Sequence, residues 1–197
     1  PSIESILGDK LTAFAPNTVG ILYDKDKEQE IIKQLFDIGC LFDEAENVEE
    51  IALSFEKIGT KEINYRELEI GLSDILDDIF TTSLLIAKRT KNTVEPDKTR
   101  FTELTTGIRR FEGFLIAEIF KIEDAILAAG KAAYLAKQLK NKDGNKYDVN
   151  LVKSEFQKPI KLHKGNWIPK NELKNREVLL LSSGPKLREY KKEIEKF

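Results

Sequence analysis

The chain is poor in the residues that most metal and redox chemistry requires. Cys40 is its sole cysteine and His163 its sole histidine among 197 residues. One thiol builds neither a disulfide framework nor a cysteine metal cluster. One imidazole argues against a zinc site and against histidine-based acid–base catalysis. Methionine is absent, and tryptophan occurs once, as Trp167. No apolar run approaches the ~20 residues that cross a bilayer. No signal-peptide pattern opens the chain. The expectation is cytoplasmic residence without a membrane partner.

The hydrophobic share is 41%, enough to build a core, and the charged share of 34% suits a helix-rich chain. The charges divide unevenly. Residues 1–135 hold 16 basic and 26 acidic side chains, whereas residues 136–197 hold 16 and 8. Such a split marks a basic arm for nucleic acid or an acidic partner, or else two solvated parts that attract each other. The lysines are spread along the tail, not gathered in one run.

Helical spacing dominates the first 140 residues. Ile3, Ile6, Leu7, Leu11 and Phe14 predict a first helix, capped by Ser2 and stopped at Pro16. Ile31, Ile32, Leu35, Ile38 and Leu41 predict a second over 27–42, with acids crowding its positive end. Asn47 with Glu50 reads as a capping box for a third, running to Gly59, and a further helical segment is expected over 60–70. Ser73 opens a strongly amphipathic helix. Another pattern runs from Thr99 to Phe120, weakened or kinked at Gly107 and Gly113. Residues 123–140 are rich in alanine, which lets a neighbouring helix come close and predicts a central place. Short connections point to a mainly α fold, an antiparallel helical bundle.

After the turn at 142–145 the pattern degrades. Residues 1–143 are expected to form the bundle domain. Residues 144–197 read as a basic, irregular extension ending in a short helix. Val178–Leu181 is either a short strand or a buried helical turn, which periodicity does not decide.

Two short motifs carry chemistry. Asp9-Lys10-Leu11-Thr12-Ala13 places one ammonium on an apolar helix. Lys33-Gln34-Leu35-Phe36-Asp37-Ile38 follows, with Lys33 and Asp37 four residues apart on one helix face. These segments resemble the downstream motifs of the AbiEii/AbiGii family, nucleotidyltransferase toxins of abortive-infection toxin–antitoxin systems. That family carries an x-x-D-K-L-x-A helix and then a K-D-x-x-D-L helix. Gln34 stands where an acid is commoner, and Ile38 replaces Leu.

The resemblance implies nucleotide-binding roles for Lys10 and Lys33 and a catalytic role for Asp37 as a base towards the acceptor. It also implies Mg²⁺ and a nucleoside triphosphate (NTP) for an intact parent, with an acceptor that is a tRNA end in some relatives, and a cognate antitoxin. The family's palm, a Gly-Ser turn followed by paired acids on a strand, does not occur in these 197 residues. The chain is therefore expected to be the helical C-terminal part of a longer protein. The alternative is a complete small protein whose initiator methionine is removed. Without palm carboxylates no metal ligand is assigned, and the fragment alone is expected to be inactive. The other functional reading is a non-catalytic helical interaction module, antitoxin-like, in which Lys10 and Asp37 are dispensable.

Plainer readings stand beside these. Lys33 and Asp37 fit an ordinary helix ion pair worth a few tenths of a kcal/mol. Asp74, Asp77 and Asp78 suggest a metal cluster, but adjacent carboxylates on a helix splay about 100° apart and make a poor cage, so a solvated face is the reading. Arg109 and Arg110 suit phosphate, but an exposed helix face is the better reading. Trp167, beside His163 and Lys164, reads as a loop anchor sooner than a base-stacking platform.

Overall fold

Among the described residues six helices follow in order: α1 (Ile3–Ala13), α2 (Glu28–Glu44), α3 (Val48–Tyr65), α4 (Leu72–Lys88), α5 (Asp97–Glu112) and α6 (Ile122–Lys140). The computed structural model describes residues 1–89, 94–115 and 120–140. The expectations for the turn at 142–145, for the extension at 144–197 with Val178–Leu181 and the terminal helix, and for Trp167, His163 and Lys164 lie outside the described residues. Among the described residues there is no strand, and none of the helices is long and apolar enough to cross a membrane.

The helices pack as a bundle. Its most extensive pairings are α4 with α6, α1 with α3, and α2 with α5, α6 and α1. The sequential pairs α3–α4, α4–α5 and α5–α6 touch only lightly. Short loops thus do not make chain neighbours into packing partners here. The apolar stripes read from the sequence do face inward: Leu7, Leu11, Ile31, Leu35, Ile75 and Ile79 are fully buried. Phe36, Phe111 and Phe120 form an aromatic cluster with ring centroids 5.3–5.6 Å apart. Two of its three pairs are edge-on, the geometry the ring quadrupole favours.

Helix ends follow local chemistry. Ser2 Oγ accepts from Ser5 N–H at 3.1 Å, and Asn47 Oδ1 accepts from Glu50 N–H at 3.2 Å. The reciprocal half of the capping box at Asn47 is replaced by a tertiary one. Glu4 Oε1 accepts from the Glu46 and Asn47 N–H groups, and Glu50 accepts from Ser2 Oγ. The start of α1 is thereby tied to the start of α3.

The break expected at Gly59 is absent: α3 runs unbroken to Tyr65. A Cβ at Gly59 would lie 2.8 Å from Leu72 Cδ2, so the glycine makes room for α4 instead of ending a helix. Likewise α5 passes straight through Gly107 and ends at Glu112, short of the expected Phe120. A Cβ at Gly107 would sit 2.3 Å from the Glu28 carbonyl oxygen. The start of α2 therefore rests on bare α5 backbone. The alanine-rich helix is central as expected, with Ala125, Ala129, Ala132, Ala133 and Ala136 at most 1% exposed.

This contact yields a sign test. In an exposed helix, glycine to alanine stabilises by about 1 kcal/mol. Gly107→Ala should instead destabilise, by about 1–3 kcal/mol, because the methyl would have to displace the Glu28 backbone as well as the buried Ile32 side chain. Urea denaturation followed by circular dichroism measures it, and a stabilised variant would contradict the packing.

Candidate functional site

Lys10 sits one turn before the end of α1, and Asp37 lies midway along α2. Packing of α1 on α2 brings them together: Lys10 Nζ is 2.9 Å from Asp37 Oδ2. The same ammonium donates to Gln34 Oε1 at 3.0 Å. Gln34 and Asp37 are three residues apart and share a helix face, so both reach one cation. The side chains of Lys10 and Asp37 are 22% and 25% exposed, so the pair is partly screened from water. Such a pair contributes at most about 1 kcal/mol.

Lys33 is exposed and stays outside this cluster. Among the described residues no ion pair joins it to Asp37, so the expected helix pair is replaced by a tertiary one. Asp37's partner is on another helix. The exposed Lys33 lies one turn before Asp37 along α2. The sequence reading missed the role of Gln34, noting it only as a departure from the motif. Its spacing from Asp37 was the available signal.

No group of three or more His, Cys, Asp or Glu among the described residues is arranged to hold a metal ion. Asp37, one of the two carboxylates in the motifs, is already paired with Lys10.

The acidic run on α4 is not one solvated face. Asp74 Oδ2 accepts from Gly71 N–H at 2.8 Å and caps the helix. Asp77 is exposed and pairs with Lys140 across to α6. Asp78 is 6% exposed and lies inside. Its Oδ2 accepts from Asn17 N–H at 2.8 Å and Thr18 Oγ1 at 2.9 Å; its Oδ1 accepts from Asn17 Nδ2 at 2.5 Å and Thr82 Oγ1 at 3.2 Å. Asp78 thus anchors the α1–α2 connection to α4. Ile75, Ile79 and Thr82 occupy the same helical stripe, which was the overlooked signal that Asp78 faces inward.

Burial pushes the Asp78 carboxyl above its ordinary 3.8, and the hydrogen bonds from Asn17, Thr18 and Thr82 pull it part of the way back. Tyr23 lies beside this network, and burial raises its phenol as well. Thr82 gives its hydrogen to Asp78, and Tyr23 Oη is left without a hydrogen bond of good geometry.

Two further charges are buried with partners. Glu28, at the start of α2, meets Arg110 of α5. Lys131, in the alanine-rich helix, donates to the Gly39 carbonyl at 3.0 Å and to Asp43 Oδ2 at 2.6 Å. Arg109 and Arg110 are both exposed at the residue level, as expected for a solvated helix face, although the Arg110 fork is engaged by Glu28.

Asp78→Ala leaves four donors without their acceptor and should cost about 2–4 kcal/mol in chemical denaturation. The pH dependence has a defined sign. A carboxyl raised in the folded state binds its proton more tightly there than in the unfolded chain. Its contribution is full below about pH 3.8 and is lost as pH rises through the raised folded value. Asp78→Asn should remove that decline, seen as a flatter stability profile from about pH 4 upward. An unchanged slope would contradict the assignment. No family model, curated protein or solved structure matches the chain.

Proposed function

We propose that residues 1–140 are the helical portion of a nucleotidyltransferase toxin, and that the α1–α2 face meets the triphosphate and the acceptor. One observation carries the reading. Lys10 and Asp37, placed by the two motif-like segments, converge on one partly open surface. A triphosphate oxygen can take the place of Asp37 on the Lys10 ammonium, a compact charge suited to phosphate. Lys33, exposed nearby, adds a second positive charge for the same ligand. Asp37, once released from Lys10, is an acceptor for the proton of the attacking hydroxyl.

In this reading the metal chemistry belongs to a palm elsewhere in the parent protein, and residues 1–197 alone transfer nothing. The parent's partners are a nucleoside triphosphate with Mg²⁺, an acceptor such as a tRNA end, and a cognate antitoxin.

A second reading, a non-catalytic helical interaction module, is favoured by one specific feature. Lys10, Gln34 and Asp37 already satisfy one another, as a structural strut between helices would.

Lys33 separates the two. Because it is exposed, Lys33→Ala should leave unfolding free energy within about 0.5 kcal/mol. In the palm-containing parent, Lys33→Ala and Lys10→Ala should each weaken Mg²⁺–NTP binding, by about five- to tenfold in titration calorimetry. Asp37→Ala should lower turnover about 10²–10⁴-fold with little change in that binding. Undiminished NTP binding in both lysine variants, together with full transfer by Asp37→Ala, would leave only the interaction module.

A further inference from the structure

A groove of about 380 Å³ opens between α2, the α5–α6 connection and the first half of α6. Its apolar lining comes from Phe36, Leu115, Phe120, Leu127 and Ala128. Lys131 closes one end, held by Asp43 and the Gly39 carbonyl. Asp43 and Asp124 stand at the rim, and both are exposed. Apolar surface continues past the edge. Leu127 is 42% exposed, and Phe114, beside Leu115 in the chain, is 71% exposed. Large side chains left open beside an apolar cleft mark a docking surface and not random exposure.

The chain supplies its own candidate. Residues 141–197 follow α6 directly and carry 14 basic and 8 acidic side chains, against 16 basic and 26 acidic over residues 1–135. The tail is thus opposite in sign to the surface it leaves. It is not merely a charged run, because it also holds Val178-Leu179-Leu180-Leu181, an apolar segment with Lys and Arg on either side. Reach is no obstacle. Leu127 lies about 20 Å back along α6 from Lys140, a distance that about six extended residues span. A tethered segment then competes at an effective concentration in the millimolar range, so even a weak contact is occupied before a free partner arrives.

We propose that this groove is the docking site for the chain's own basic segment, residues 141–197. The proposal stands apart from the Lys10–Asp37 face and does not depend on a nucleotide.

The test uses the full 197-residue chain with the photoreactive residue p-benzoylphenylalanine in place of Leu127, an exposed position. After irradiation at low micromolar protein, adducts are separated by size and mapped by mass spectrometry. Expected are monomer-sized adducts joining position 127 to peptides from 141–197. Adducts confined to residues 1–140, only dimer-sized adducts, or no adduct at all would overturn the proposal, the second giving the groove to another copy. Adding Leu115→Asp charges the groove wall and should cut the tail adduct at least about fivefold, and an unchanged yield also overturns it. Where Leu115→Asp lowers the helical circular-dichroism signal, Leu115→Ser takes its place. The same probe at Phe114, on the opposite edge, serves if the Leu127 substitution lowers that signal.

Discussion

The bundle depends on how closely its helix backbones approach where side chains are missing. At Gly8 a Cβ would fall 2.7 Å from Ser54 Cβ and 2.8 Å from the Phe55 nitrogen, so α1 lies almost directly on α3. Gly107 does the same for α5 on α2, and Gly39 faces Ala128 where α2 meets α6. Packing at this density tolerates little added volume. The three crossings also fix which helices pair. They set α1 beside α3 and α2 against α5 and α6, an order that loop length alone would not produce.

Close approach makes buried polar groups unavoidable, and each buried charge among the described residues is answered. Asp78 takes four donors and binds the α1–α2 connection to α4. Lys131 is buried in an alanine face yet reaches a carbonyl and a carboxylate of α2. Glu28 meets Arg110 at the crossing that Gly107 permits. A buried charge is costly unless it is paired and hydrogen-bonded. These pairings therefore select one arrangement of helices, because a shifted register would strand them. The phenol of Tyr23 and the hydroxyl of Ser83 are buried without a partner.

The candidate face is built on the same frame but differs in kind. Lys10, Gln34 and Asp37 form a closed, nearly neutral set at a helix–helix boundary, partly open to water. A ligand there must first displace an ion pair. That cost is small, since a pair this exposed contributes at most about 1 kcal/mol. The arrangement is thus compatible with a strut at rest and with a phosphate contact when occupied. The ionic partner of Asp37 lies on α1, so any movement of α1 over α2 would alter the pair.

The sequence by itself determined the helices, their inward faces and most of their boundaries, because 3.6-residue periodicity and capping chemistry are local properties of a chain. It also placed Lys10 and Asp37 as candidates. The sequence reading also set α1 against α2 with these side chains on one shared surface; that Lys10 and Asp37 pair directly, with Gln34 on the same ammonium, was decided by how closely the two helices lie. Local rules misread Gly59 and Gly107 as weak points, for a glycine's meaning rests on what stands opposite it. They misread Asp78 as solvated because a carboxylate on an apolar stripe is tolerable only when four donors arrive from elsewhere in the chain. Tertiary structure decided the helix pairings, the partner of every buried charge and the tertiary ion pair of Asp37. Each of these joins residues distant in sequence, whose meeting is fixed by packing volume and desolvation and not by spacing along the chain.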